Sequence, residues 1–249
     1  MKIIDLDNCK NIRDISYGNI KKNKLIRSSS LEKLSNNDIL KLSDEYKVKA
    51  IIDLRTTTEL DEKDKDIPNS TYYIIPLVNE ETLGITHGNS VEEKLTNLSN
   101  NIPDMCELYR QLVTRDKKEQ WTKIFKIFLT NYDGAILWHC KQGKDRCGIV
   151  SAIIEYCLGI DYKVIMEDYL LTNNYCIEKS NKMFDLMYEI TKDYEKSNVV
   201  KNLFLAKKEY LDSAFEYIGL EYGSVYNFLY EVCNLDKEKI EKLKQMYLK

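Results

Sequence analysis

Near the middle of the chain a cysteine and an arginine, with five residues between them, stand between an apolar run and a helical pattern. The run is Ala135-Ile136-Leu137-Trp138, and the segment after it reads His139-Cys140-Lys141-Gln142-Gly143-Lys144-Asp145-Arg146-Cys147-Gly148. A thiolate persists at neutral pH only in positive surroundings. A short loop that ends on a helix N-terminus, with free backbone N–H groups and an arginine, supplies them. The same groups grip a phosphate dianion, the guanidinium binding two oxygens side by side. Gly143 and Gly148 let the backbone curl, and Lys141 and Lys144 make the segment basic. A bare cysteine-to-arginine spacing recurs by chance. Placed between a strand and a helix, with these glycines and lysines, it points to a phosphate-binding nucleophile loop.

The chemistry such a loop offers is hydrolysis of a phosphate monoester through a covalent phosphocysteine. Cys140 attacks phosphorus as thiolate, while Arg146 and the loop N–H groups meet the charge on the equatorial oxygens. Water then releases phosphate. No cofactor is expected, because loop and arginine already balance the charge. Lys141, Gln142, Gly143, Lys144, Cys147 and Gly148 are the residues expected around the phosphate, with Lys144 placed to reach an incoming ligand and Lys141 more exposed to water.

Three carboxyls compete to protonate the leaving group. Asp145 lies inside the loop. Asp53 ends an apolar strand at its carboxyl edge, where sites of α/β sheets gather. Asp104, in Ile102-Pro103-Asp104, precedes the nucleophile by 36 residues and suits a separate loop. Asp133 falls at the wrong end of the strand that leads to Cys140. The alternative duties are structural, Asp145 orienting Arg146 and Asp53 pairing with Arg55. His139 reads as a residue that orders the loop. With His87 its one companion, a histidine-based metal site is not expected.

The elements that must position this loop alternate between strand and helix patterns. Leu25-Ile26-Arg27, Val48 to Leu54, Tyr72 to Pro76 and Ala135 to His139 read as strands, the second apolar enough for the middle of a sheet. Ser35 to Asp38 caps a helix, and 104–130 carries apolar residues at helical spacing. Beyond Gly148 the chain reads as helical throughout, with a stop at Gly159 and segments near 161–175, 176–195, 200–219, 223–233 and 236–248. The expected class is α/β, one domain over 1–249, with a sheet-bearing part to about 158 and a helical part after it. The polar stretch 79–102 reads as a loop.

Composition sets outer limits. At 249 residues, 43% hydrophobic and 31% charged, the chain can bury a core. A net charge of −3 provides no general attraction to nucleic acid or anionic membrane. Seven cysteines without a close pair argue against a disulfide framework or structural zinc. No run approaches the roughly 18 apolar residues of a membrane span, and the first residues lack a signal-peptide core. A cytoplasmic monomer is the expectation.

On these motifs the sequence resembles the bacterial atypical tyrosine phosphatases with a Gly-Lys-Asp-Arg active loop, the family that includes secreted mycobacterial and Listeria phosphatases. The resemblance extends over nearly the whole chain. It covers Asn11-Ile12-Arg13-Asp14, Arg27-Ser28-Ser29-Ser30-Leu31, Asp53-Leu54-Arg55 followed by Glu59, Asp168 to Asn173, and Tyr222-Gly223-Ser224-Val225. It implies a phosphatase fold with a mostly parallel sheet flanked by helices, whose helical C-terminal half covers the site. It also implies activity on phosphotyrosine, broadened to phosphoserine, phosphothreonine or phosphoinositides. Cys140 is then the nucleophile, Arg146 the phosphate ligand and Asp145 the acid. The separate Trp-Pro-Asp loop of other tyrosine phosphatases is missing, which favours Asp145. One position departs from the pattern. The family places a hydroxyl after the arginine, and this chain has Cys147, a weaker donor. Slow breakdown of a phosphoenzyme, or capture of an oxidised Cys140 as a disulfide, are its possible consequences, against simple filling of the threonine volume. The rival readings are a phosphoinositide phosphatase, a rhodanese-like sulfurtransferase and a phosphate-binding module without turnover.

Overall fold

A computed structural model describes residues 2–61, 63–78, 93, 95, 97, 98, 101–130 and 132–249. His87 and most of the 79–102 stretch lie outside the described residues. Among the described residues the sheet has six strands: β1 Lys2–Ile3, β2 Arg13–Asp14, β3 Leu25–Ser28, β4 Val48–Asp53, β5 Thr71–Ile74 and β6 Ala135–His139, in the order β1-β2-β3-β6-β4-β5. β3, β6, β4 and β5 run parallel, and β1 and β2 add an antiparallel edge. The two edge strands have no sequence signature, being two residues long and, at Arg13–Asp14, charged.

Register explains why the carboxyl edge carries the site. His139 pairs with Ser28 on one side and with Asp53 on the other. The chain therefore leaves β3, β4 and β6 at one level, and the three following loops converge there. Both faces of the sheet are buried. Ile26, Ile51, Ala135 and Leu137 face one core cluster, whereas Leu25, Ile52, Ile136 and Trp138 face the larger one with the helices. This two-sided burial is why the strands read as unbroken apolar runs.

The helices are α1 Asn36–Leu40, α2 Met105–Gln111, α3 Lys118–Phe128, α4 Asp145–Cys157, α5 Tyr162–Leu171, α6 Asn173–Thr191, α7 Tyr194–Leu203, α8 Lys208–Tyr222, α9 Val225–Glu231 and α10 Lys237–Tyr247. Ser35 caps α1 through a reciprocal pair with Asp38, its hydroxyl accepting from the Asp38 N–H at 3.1 Å and its own N–H donating to the Asp38 carboxylate at 2.9 Å. Asp236 caps α10. None of the helices is long and apolar enough to cross a membrane, among the described residues.

The expected helix over 200–219 is in fact two, broken at 204–207. No glycine or proline marks this break. Long-range bonds impose it: the Asn173 side chain accepts from the Ala206 N–H at 2.7 Å and donates to the Ala206 carbonyl at 2.9 Å. An amide that replaces both backbone partners of one residue removes the reason for the helix to continue. α6 and α7 pack on each other around Met187 and Val200, apart from the main core.

Gly134 shows how tightly β6 enters the sheet. A Cβ there would lie 2.0 Å from the Lys47 carbonyl oxygen, which also accepts the Ala135 N–H at 3.0 Å. Gly134→Ala should displace the start of β6 and cost about 2 kcal/mol or more. Urea unfolding of that variant measures it, and an unchanged midpoint would show that the turn yields freely.

Candidate active site

The loop from Cys140 to Lys144 joins β6 to α4, and its shape is set by where its carbonyls go. The Asn11 amide donates to the Gln142 carbonyl at 2.9 Å and to the Gly143 carbonyl at 3.1 Å. Arg27 donates to the Gly143 carbonyl at 2.9 Å, and the Ser30 N–H to the Lys141 carbonyl at 3.3 Å. In a planar trans peptide the carbonyl and the next N–H point opposite ways. Anchoring the carbonyls of 141, 142 and 143 from outside therefore turns the N–H groups of 142, 143 and 144 inward. Gly143 makes the bend at φ +68°, and a Cβ there would lie 2.7 Å from the Ser28 carbonyl oxygen. Gly148 serves a different need from the expected curl. It lies within α4, where a Cβ would press on the Tyr169 ring at 2.9 Å.

The anchors themselves rest on a buried charge cluster. Asp168 on α5 bonds Arg13 through Nε at 2.7 Å and Arg27 through Nη1 at 2.7 Å, and it accepts a short hydrogen bond from Tyr17. Arg13 in turn holds the Asn11 amide oxygen at 2.5 Å. Burial alone would raise the Asp168 pKa, but the two guanidinium groups overcome it and hold the carboxyl at about 2. Glu155 on α4 faces the same cluster with neither oxygen hydrogen-bonded. Burial pushes its pKa well up, helped by the Asp168 charge. Asn11, Arg13, Arg27 and Asp168 fall within the sequence motifs, yet their duty as loop anchors shows only in three dimensions.

Cys140 is buried at the loop's base. Its thiol is lowered to about 5, first by hydrogen bonding from the Cys147 thiol and then, against the cost of burial, by Arg146 and the Cys147 backbone. Burial drives the Cys147 thiol the other way, well above its ordinary range. The two shifts run in opposite directions, as in a pair where Cys147 donates to a Cys140 thiolate. The single Cys147 proton also has the carbonyls of Ser28 and Trp138 at 3.4 and 3.6 Å, and a negative sulfur outcompetes neutral carbonyls for it.

Arg146 is oriented by Glu59, whose carboxylate meets Nη1 at 2.5 Å and Nη2 at 2.8 Å. The Thr56 N–H holds Glu59 at 2.9 Å. Both terminal nitrogens face Glu59, and the buried Nε–H has no partner. Nε with the remaining Nη2 hydrogen forms the second fork of the planar guanidinium, and that fork is open to an anion.

The carboxyl candidates separate by their partners. Asp145 begins α4 and accepts from the Tyr109 hydroxyl at 2.8 Å, with the Lys144 ammonium at 3.4 Å from the same oxygen. Tyr109 uses its hydrogen on Asp145, so Tyr169, 2.7 Å away, must donate to Tyr109. Tyr109 belongs to no motif of the sequence, and Tyr169 falls inside the Asp168-to-Asn173 segment without a role of its own there. Asp53 is bound by Arg55 through three contacts between 2.7 and 3.1 Å. Burial would raise it, but Arg55 and His139 hold it low. Asp104 caps α2 by accepting the Glu107 N–H, and Asp133 lies before β6 at the opposite end from Cys140.

Around the loop, Lys141 meets Glu32 at 2.8 Å and stays partly exposed. Lys144 is buried. Its ammonium donates to the carbonyls of Leu203 at 2.5 Å and Leu205 at 3.3 Å, which ties the loop to the end of α7. His139 lies 3.2 Å from Asp64 through Nε2. Asp53, Asp64 and His139 offer ligand atoms within 4.8 Å of one another. The Arg55 guanidinium already occupies that corner, bonding Asp64 at 2.6 Å and Glu32 at 2.5 Å.

Glu155 gives a test of the buried cluster. A carboxyl whose folded pKa exceeds its unfolded value of 4.5 subtracts stability as pH rises above 4.5, until the folded value is reached. Glu155→Gln removes that loss. Its stability relative to the parent should climb between pH 5 and 8, by at most about 1.4 kcal/mol per pH unit, as read by urea unfolding at several pH values. A difference that stays flat over that range, with the variant the less stable throughout, would mean that Glu155 is ionised against Arg27.

Comparison with known proteins agrees with this geometry. Over part of its length the chain is similar to the triple specificity protein phosphatase PtpB of Mycobacterium tuberculosis, 25% identical across 68% of this chain and 62% of that one. It is also similar to a tyrosine-protein phosphatase of Nostoc commune, 29% identical across 32% of this chain and 28% of the other. The matches thus span less than two thirds of either relative. The profile described as the tyrosine phosphatase family matches residues 4–249, and the chain belongs to that family.

Proposed function

We propose that the protein hydrolyses phosphate monoesters, phosphotyrosine in proteins foremost, through a phosphocysteine on Cys140. The observation that carries this reading is the pairing of a buried Cys140 thiol lowered to about 5 with a vacant guanidinium fork on Arg146, under N–H groups turned inward. The thiolate attacks phosphorus in line with the leaving oxygen. Loop N–H groups and Arg146 take the equatorial charge. Cofactors have no part in this scheme.

Asp145 is the acid of the proposal. The protein contacts on its carboxylate fall on one oxygen, and they come from a hydroxyl and from a lysine that is shared with two carbonyls. Asp53 is held ionised by a guanidinium that bonds both of its oxygens, so it cannot readily take up the proton it would have to give. Asp145 returns to the cycle as the base that activates water, and Cys147 keeps the sulfur a tolerable leaving group.

Hydrolysis of p-nitrophenyl phosphate and a phosphotyrosine peptide in EDTA is the direct test. Cys140→Ser should abolish turnover yet retain binding, and metal-free turnover surviving in that variant would sink the mechanism. Asp145→Asn should slow aryl phosphates with poor leaving groups by roughly 100-fold or more, and those with good leaving groups far less. A uniform loss would assign Asp145 a structural part.

The thiolate has its own signature. Alkylation of Cys140 by iodoacetate should speed up as pH rises through about 5. Cys147→Ala should move that midpoint upward by roughly one unit, with Cys147→Thr restoring it and hastening phosphoenzyme breakdown. A midpoint indifferent to both substitutions would reduce Cys147 to filling space.

A further inference from the structure

A cleft of about 670 Å³ opens beside the nucleophile loop, with Lys141 and Gln142 in its wall. Its other sides come from α6, from the segment before β2 and from the turn after β3. Lys10, Lys33, Lys179 and Lys182 join Lys141 there, against Glu32 and Glu178 among the described residues. Counted over the described residues, its lining thus carries an excess of three positive charges in a chain whose net charge is −3.

Neither glutamate offsets this well. Glu32 is shared between Lys141 and the buried Arg55, and Glu178 stands 3.9 Å from Lys10 with both side chains largely exposed to water. Lys179 is exposed as a residue, yet surrounding protein and then repulsion from Lys141 and Lys144 push its ammonium below the usual range. Like charges gathered in a concave wall focus potential on whatever enters.

We infer that this cleft binds acidic side chains flanking the phosphorylated residue of a peptide substrate, and so selects acidic phosphopeptides. The inference rests on the phosphatase reading of the Cys140 loop. A peptide suits the site better than a lipid surface, because a flat bilayer cannot enter a cleft and the acidic chain as a whole repels an anionic membrane. The cleft volume falls within the range of sites that enclose a ligand of several residues or fewer.

The test compares two phosphotyrosine peptides, one with aspartates on both sides of the phosphotyrosine and one with glutamines. Affinity for the full Cys140→Ser protein is read by fluorescence anisotropy, and kcat/KM on the active protein is read beside p-nitrophenyl phosphate. The acidic peptide should be favoured about tenfold in both, two or three partly exposed ion pairs supplying that much. The preference should shrink at 0.5 M salt. Lys179→Glu/Lys182→Glu should erase or invert it while p-nitrophenyl phosphate turnover stays within twofold. Equal use of both peptides, or a preference that survives the double substitution, overturns the inference. So does a soluble inositol polyphosphate that displaces the acidic peptide more effectively than the unlabelled peptide does. Absence of all turnover with the binding preference intact would instead reject the phosphatase reading and leave the cleft standing.

Discussion

Everything at the candidate site depends on one constraint: the backbone of residues 141–144 must hold its carbonyls outward. Peptide units left to themselves would satisfy those carbonyls with water and let the N–H groups point anywhere. Here Asn11, Arg27 and Ser30 take them from outside. The donors then face inward at no further cost when an anion arrives, which is what preorganisation means in this setting. Arg27 can do this because Asp168 fixes its other end, and Asp168 stays ionised because Arg13 shares it. A strand at the antiparallel edge, a central strand and a helix from the C-terminal half meet in one cluster beneath four loop residues.

That arrangement explains an otherwise costly choice. Burying two arginines and a carboxylate incurs a desolvation penalty that apolar packing would avoid. The cluster therefore puts most of its hydrogen-bonding directions to use, on Asn11, Thr172, Tyr17 and the loop carbonyl, while the buried Nε of Arg27 has no partner among the described residues. Glu155 lies there too with neither oxygen hydrogen-bonded, and burial pushes its pKa well up. A second network behind the loop repeats the scheme, with Arg55 bridging Asp53, Asp64 and Glu32. Rigidity on both sides of Cys140 is the result.

The sequence disclosed the parts whose signal is local. The apolar runs of β4 and β6, the cap at Ser35 and the stop at Gly159 depend on neighbours a few residues away. The Cys140 loop was legible for the same reason, since nucleophile, arginine and glycine lie within ten residues. Tyr109 and Tyr169 were not, because a hydroxyl chain to Asp145 arises only when α2 and α5 pack together. The break at 204–207 was equally invisible, being imposed by Asn173 from another helix. Lys144 illustrates the limit. Its position in the loop suggests a ligand contact, but the carbonyls at the end of α7 capture its ammonium first.

The same distinction sorts the carboxylates. A carboxyl group is available to exchange a proton when no cation is committed to it. Asp53, Asp64, Glu59 and Asp168 each answer to a guanidinium, at distances between 2.5 and 2.7 Å. Protonating Glu59 or Asp168 would leave a buried arginine short of its counter-charge, whereas Asp53, Asp64 and Glu32 share the single Arg55 guanidinium. Asp145 differs. Its partners are a tyrosine hydroxyl, which donates equally well to a neutral carboxyl oxygen, and a lysine whose charge is already shared with two carbonyls. Its side chain is 22% exposed, against 14% or less for the other four. Proximity to Cys140 makes Asp145 the acid of the proposal, and its contacts are a hydroxyl and a shared ammonium rather than a guanidinium.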